Sequence, residues 1–305
     1  YVRLSNDTRP KDVLNLLSKH WKLPTPHLAI SVAGGTKNFT LNKQDQDTFN
    51  RGLIKAAQTV GAWIISTGVN CGVHKAVGGA VREGQAMRWI SNKGQARAPI
   101  HCIGIAPWSY VENWQSLVGR KGEGLYPAQY KVNPIVQRGK PVSLDPHHTH
   151  FLLVDDGTRM YGCDIEYRAK LEQAMRAPKF AQNELETGLG IPVVKVCLEG
   201  GMDTILATKE AVLLKTPVVF CEGTGRAADL LAFANNNCVI IDGVRKIKPS
   251  LQSTVYGKIH SVCRISENDH MIPRLIEAIN VIMQHESMVS YTLCMITTMS
   301  VMITL

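Results

Sequence analysis

The chain has 305 residues, 45% hydrophobic and 19% charged, enough for one large α/β core or two small ones and too apolar for global disorder. Thirty-four Lys and Arg against 25 Asp and Glu give a formal net charge of +9 and a pI near 9.1. That balance suits a phosphate-bearing ligand, a nucleic acid or an acidic neighbouring domain, but the basic residues are scattered, as in Lys19–Lys22, Arg138–Lys140 and Arg245–Lys248. A dense basic arm is absent, and a solvated basic face is the plainer reading.

The recurring unit is a short β-branched run, a Gly-rich turn and a helical pattern. His27–Val32 reads as a strand running into Ala33-Gly34-Gly35-Thr36, and a helix follows from Gln44 to Gly61 with Phe49, Leu53, Ile54, Ala57 and Val60 on one stripe. Trp63–Ser66 is a strand entering Thr67-Gly68-Val69-Asn70, and His74–Gln85 is helical in spite of Gly78 and Gly79. Ile100–Ile105 is a third strand, ending at Ala106-Pro107-Trp108, and Ser109–Ser143 reads as an irregular insertion.

The second half repeats the rhythm. His150–Val154 leads into Asp155-Asp156-Gly157-Thr158 and a helix over Ile165–Arg176. Pro192–Leu198 leads into Glu199-Gly200-Gly201-Met202-Asp203 with a helix to Leu214, and Pro217–Cys221 into Glu222-Gly223-Thr224-Gly225-Arg226 with a helix to Ala234. Val239–Ile241 is a last strand and Asp269–His285 a last helix. Apolar strands alternating with amphipathic helices predict an α/β fold with a doubly wound, mostly parallel sheet and right-handed crossovers.

In such sheets ligands bind outside the carboxyl ends of the strands. Nearly every predicted strand ends there in glycine: Gly34-Gly35, Gly68, Gly157, Gly200-Gly201, Gly223 and Gly225. Close backbone approach and helix amino termini together suit a pyrophosphate, although each glycine alone also suits a plain tight turn. No Walker A pattern is present, and the dinucleotide fingerprint is only approximated at Gly68–Gly72 and Gly223–Ala228.

Other constellations are weaker. Cys71, Cys102, Cys163, Cys197, Cys221, Cys238, Cys263 and Cys294 form no CxxC and read as small buried hydrophobes in a reducing compartment. His147-His148-Thr149-His150 lacks a third metal ligand nearby. Asp155, Asp156, Asp164 and Glu166 are oxygen donors around one helix start and are the candidate calcium ligands, with helix capping as the alternative. Cys71 with His74 is the only local nucleophile–base pair, and it lacks an orienting acid. No signal-like segment opens at Tyr1, which reads as a trimmed start, and no stretch reaches the roughly 18 apolar residues of a membrane span.

Several blocks carry a family resemblance. Tyr1-Val2-Arg3 with Ile30-Ser31-Val32-Ala33-Gly34-Gly35, Gly61-Ala62-Trp63-Ile64 with Thr67-Gly68-Val69-Asn70, and Gly104-Ile105-Ala106-Pro107-Trp108 are three of them. His150–Thr158, Tyr161-Gly162, Glu199-Gly200-Gly201 and Glu222–Leu231 complete the set. Together they resemble the melastatin homology region of melastatin-type TRP cation channels over about residues 1–235.

The resemblance implies a Rossmann-like domain of the SLOG type on the cytosolic side of a homotetrameric plasma-membrane channel. In the family this domain binds ADP-ribose in one member, is modulated by ATP in another, and serves mainly assembly in others. It implies residues 1–245 as the nucleotide-recognition unit and 246–305 as a helical extension or linker. The expected partners are an adenine nucleotide such as ADP-ribose, with calcium as a further ligand, and other domains and subunits of the channel. Nucleic acid and direct membrane insertion are not expected.

The expected nucleotide contacts are Gly34, Gly35, Thr36, Lys37, Thr67, Gly68, Asn70, Trp108, Asp156, Gly157, Thr158, Gly200, Gly201, Asp203, Thr224, Gly225 and Arg226. Arg168, where the ADP-ribose-gated member also has arginine, is the expected phosphate contact; otherwise it pairs with Asp164 or Glu172 on its own helix face. No catalytic set is visible, so ligand sensing without turnover is the expected role. Assembly with a vestigial pocket and phosphoribohydrolase-like cleavage are the alternatives.

Overall fold

The structure, a computed structural model, describes residues 1–36, 39, 41–90, 99–119, 127–137, 139–158, 162–177 and 190–292. Lys37, Arg138, Tyr161, Cys294 and the last part of the expected 246–305 extension, residues 293–305, lie outside them.

The main sheet has eight strands in the order β1 (Val2–Ser5), β5 (His150–Asp155), β4 (His101–Pro107), β3 (Trp63–Ser66), β2 (Ala29–Gly34), β6 (Val193–Leu198), β7 (Val218–Cys221) and β10 (Val289–Thr292). Every pairing within it is parallel. The chain steps outward from β2 through β3 and β4 to β5, then returns to the other side of β2 with β6 and β7. The order therefore reverses between β2 and β6, where a doubly wound sheet opens its crevice.

The helices are α1 (Pro10–Asn15), α2 (Lys43–Thr59), α3 (Gly72–Ile90), α4 (Cys163–Arg176), α5 (Met202–Leu213), α6 (Arg226–Asn236), α7 (Pro249–Gly257), α8 (Ile259–Cys263) and α9 (Ile272–Gln284). Alternation along β2 shows how the faces divide. Ile30 and Val32 pack with Phe49, Leu53, Val73 and Val77 from α2 and α3. Ala29 faces Tyr167 and Leu171 of α4 on the other side, and Ala33 joins Ile205 of α5. With both faces covered, the strands are almost wholly apolar, as parallel strands must be.

Three features depart from the sequence reading. Val239–Ile241, predicted as the last strand of the fold, instead forms a separate antiparallel hairpin of β8 (Cys238–Ile241) and β9 (Val244–Ile247). Short β1 and β10 take the sheet edges, although neither has enough residues to show a period of its own. The segment after residue 245 is helical as expected, but Val255, Ile259, Leu275 and Ile279 are buried with Leu231 and Phe220 in one cluster. Among the described residues no helix is long and apolar enough to cross a membrane.

Candidate functional site

A cleft of about 440 Å³ opens at the β2/β6 reversal, lined by Gly34 at the end of β2 and Thr36 after it, Thr67 after β3, and Gly201, Met202 and Asp203 after β6. Its size falls within the usual range for small-ligand sites, roughly 300–1,000 Å³. Close packing fixes Gly34, because a Cβ there would lie 2.0 Å from the Leu198 carbonyl oxygen on the neighbouring strand. At Gly201 an added Cβ would lie 2.8 Å from Nη2 of Arg226, so the bare backbone lets that guanidinium lie across the start of α5. Helices α5 and α6 both begin at this edge, where amide groups and dipole ends favour an anion.

Arg226 holds a left-handed backbone (φ 48°) at the start of α6. Its Nε donates to the Val262 carbonyl at 2.9 Å, and its Nη1 lies 3.9 Å from Glu199. That bond draws the end of α8 over the cleft, so that Cys263, Arg264 and Ile265 form part of the wall. The sequence reading missed these three, because they belong to none of the strand ends on which ligand sites were sought.

Beneath the cleft lies a buried charge network. Register places Ser31 of β2 beside Lys195 of β6, and both face α4. There Glu172, fully buried, takes Lys195 Nζ at 3.1 Å and Arg168 Nε at 3.0 Å, and accepts a short hydrogen bond from Ser31. Burial pushes the Glu172 carboxyl up, but Lys195 and Arg168 outweigh it and hold it below its ordinary value. Arg168 Nη2 also donates to Ser31 Oγ at 2.7 Å and to the carbonyls of Val32 and Ile65 at 3.0 and 2.9 Å. The expected surface pair of Arg168 with Glu172 is thus made in the interior, with the guanidinium tied to two strand ends as well as lining the cleft.

Two acids complete the cleft. Asp164, in the first turn of α4, is pushed up to about 7 by burial, against the opposing pull of Arg168. Burial likewise pushes Asp203 up to about 6. His74 lines the cleft too; it is held neutral by burial and by nearby Arg168, and its Nδ1 accepts the Thr67 amide at 3.4 Å.

Of the residues expected to meet the ligand, Gly34, Thr36, Thr67, Arg168, Gly201, Asp203 and Arg226 line this cleft. Gly35, Gly68, Asn70, Gly200, Thr224 and Gly225 are not among its lining residues. Thr224 instead closes its own turn, its Oγ1 accepting the Glu199 amide and donating to the Cys221 carbonyl. Trp108 is buried elsewhere, under the Arg3 guanidinium and beside Trp114. Asp156 and Gly157 line a separate depression with Arg3–Asp7, and Thr158 is tied to Asp156.

The four acids grouped as calcium ligands are not brought together. Asp155 is bound by Arg3, Asp156 by Thr158, and Glu166 by Lys170 at 2.7 Å, while Asp164 turns into the cleft. Among the described residues no group of three His, Cys, Asp or Glu side chains could hold a metal ion.

One arrangement escaped the sequence altogether. His148 Nε2 lies 2.7 Å from Ser66 Oγ, and its Nδ1 lies 3.0 Å from Asp145, in the order of a Ser–His–Asp triad. All three are buried and none lines the cleft, and Ser66 Oγ also accepts the Gly68 amide at 3.0 Å. A nucleophile needs a face open to substrate, so this set acts as a clamp between β3 and the loop before β5.

A family profile described as SLOG in TRPM matches residues 1–279. The chain belongs to this family. It is 40% identical to a transient receptor potential cation channel subfamily M member-like 2 of Nematostella vectensis over 86% of its length and 17% of the relative's. Identity to human subfamily M member 6 is 38% over 91% of the chain and 13% of the relative. For rat member 7 it is 43% over 76% of the chain and 12% of the relative. The chain thus spans less than a fifth of these channels, and its SLOG fold is the α/β sheet described above.

Proposed function

We propose that this SLOG domain is a ligand-sensing part of a subfamily M cation channel, on its cytosolic face, and that its cleft binds a pyrophosphate-bearing adenine nucleotide, ADP-ribose first, without turnover. The observation that carries the reading is the cleft at the sheet reversal, where Gly34, Gly201 and Arg226 meet the amino termini of α5 and α6. Those groups offer an anion site, and the thiol in its wall, Cys263, is pushed up to about 11 by burial and so stays protonated. Assembly with other domains and subunits of the channel belongs to the same reading.

Calorimetry of the chain against ADP-ribose, ATP, NAD and AMP tests it, followed by chromatography after long incubation. ADP-ribose is expected to bind and to be recovered intact. Release of AMP or free base at an enzymatic rate would overturn the sensing role. A pure assembly module draws support from Arg168, whose guanidinium is committed to the protein, and failure of all four ligands to bind would establish that reading instead.

A further inference from the structure

One polar group in the cleft is left unanswered by the protein. Asp164 is 4% exposed, and its Oδ1 has no hydrogen-bond partner among the described residues although it belongs to the cleft lining. A buried carboxylate oxygen without a donor is costly to the free protein and is a strong acceptor for any donor that arrives.

The charged groups around it do not remove that need. Arg168, one turn further along α4, gives its Nε to Glu172 and its Nη2 to Ser31 and two carbonyls. Lys195 of β6 is held by the same Glu172. His74 of α3 accepts a backbone amide, and Arg226 of α6 donates to Val262. Asp203 of α5 adds a second carboxylate to the lining and repels the first.

We propose that Asp164 selects the ligand of this cleft, its unpartnered oxygen accepting a hydrogen bond from a sugar hydroxyl, so that the site takes a sugar-bearing nucleotide in preference to a bare polyphosphate. The inference rests on the nucleotide reading of the cleft and deepens it. Once ionised, above its value of about 7, Asp164 only accepts, so a phosphate oxygen there would bring repulsion and no hydrogen bond. Two carboxylates in one cleft suit the paired donors of a vicinal diol. No Phe, Tyr or Trp lines the cleft among the described residues, and its apolar lining is Ala33, Ile165, Met202, Ala207, Cys263 and Ile265. A base therefore packs on aliphatic surface. The anion is left to Gly201 with Arg226 and Arg264, which orients the ligand with its sugar toward α4 and its phosphates toward the starts of α5 and α6.

The test compares ADP-ribose with inorganic pyrophosphate, by calorimetry on the whole chain, in wild type, Asp164→Ala and Asp164→Asn. ADP-ribose affinity should fall at least tenfold in Asp164→Ala and by less in Asp164→Asn, which keeps an acceptor oxygen. Pyrophosphate should bind Asp164→Ala no more weakly than wild type, or bind none of the three. Melting curves of the free proteins verify that both variants are folded. Unchanged ADP-ribose affinity in Asp164→Ala, or equal weakening of both ligands, overturns the role of Asp164 alone. If neither ligand binds the wild-type chain, the nucleotide reading itself fails and this inference falls with it.

Discussion

Helix α4 carries two kinds of charge on one face, four residues apart. Arg168 and Glu172 point into the sheet and close a network with Lys195 and Ser31, in which the one buried carboxylate is surrounded by cations and a hydroxyl. Asp164, one turn earlier, is as deeply buried but keeps an oxygen without a partner. The difference teaches where the helix serves the fold and where it serves a ligand. A charge held between opposite charges inside the protein ties α4 to the sheet, and a carboxylate left without a donor at a cleft is available to something else.

The sharpest way to break that comparison is Glu172→Ala, which leaves Arg168 and Lys195 buried together without their anion. Breaking a buried pair by removing one partner costs about 3–5 kcal/mol, to be read from denaturant unfolding; a loss below about 1 kcal/mol would mean that the network is far better hydrated than its burial indicates.

Arg168→Ala should cost less, about 2–3 kcal/mol, because hydrogen bonds to charged groups are lost while Lys195 still compensates Glu172. Arg168→Lys should recover only part, since an ammonium cannot span Glu172 and two carbonyls as the planar fork does. A variant as stable as wild type but unable to bind nucleotide would move Arg168 from the fold's side of the comparison to the ligand's.

Arg226→Ala should do the reverse. Loss of a charge-assisted contact should weaken nucleotide binding by about 1.5–3 kcal/mol, with a smaller drop in melting temperature from the lost bond to Val262. Calorimetry and melting curves on the same preparation separate the two effects.

Asp203 sharpens the comparison through pH. Its carboxyl is raised to about 6 by burial, so the folded protein holds this proton at pH values where the unfolded chain has released it. The acid therefore costs stability above pH 6, and the cost disappears as pH falls through the ordinary carboxylate range near 4. Asp203→Asn should be more stable than wild type by about 1–2 kcal/mol at pH 8, with no advantage at pH 4. Parallel melting curves across that range would expose the idea as wrong if the two proteins differed equally at both ends.

The smallest effect belongs to Glu166, whose pair with Lys170 is exposed on the outer side of the same helix. Glu166→Ala should change stability by only about 0.3–0.5 kcal/mol, and added calcium should leave its melting temperature where it leaves that of wild type.

Much of the fold was legible because the signal is local. Runs such as Trp63–Ser66 and Pro217–Cys221 are apolar and β-branched, the glycines follow them at once, and the helical stripe of Phe49, Leu53, Ile54 and Ala57 recurs at the helical period. Edge strands β1 and β10 were not legible, since four residues carry no period and their place depends on distant partners, Leu152 for Val2 and Val218 for Val289. The hairpin of β8 and β9 was half seen for the same reason: Val239–Ile241 has strand composition, but composition does not say which strand it will pair with.

The sequence by itself determined the alternation of apolar strands, Gly-rich turns and amphipathic helices, and with it the glycines at the carboxyl edge of a parallel sheet. Chain-local sterics and hydrophobic period suffice for that. Only the tertiary structure decided which of those glycines share a cleft. It gathered Gly34, Thr67 and Gly201 at the strand reversal, left Trp108 and Thr158 elsewhere, and brought Cys263–Ile265 in from a helix 36 residues beyond Arg226, the separation spanned by the bond to Val262. It also set Ser31 against Glu172 across 141 residues and Ser66 against His148 across 82. Strand register and helix packing select such pairs, and neither is written in the spacing of the residues that meet.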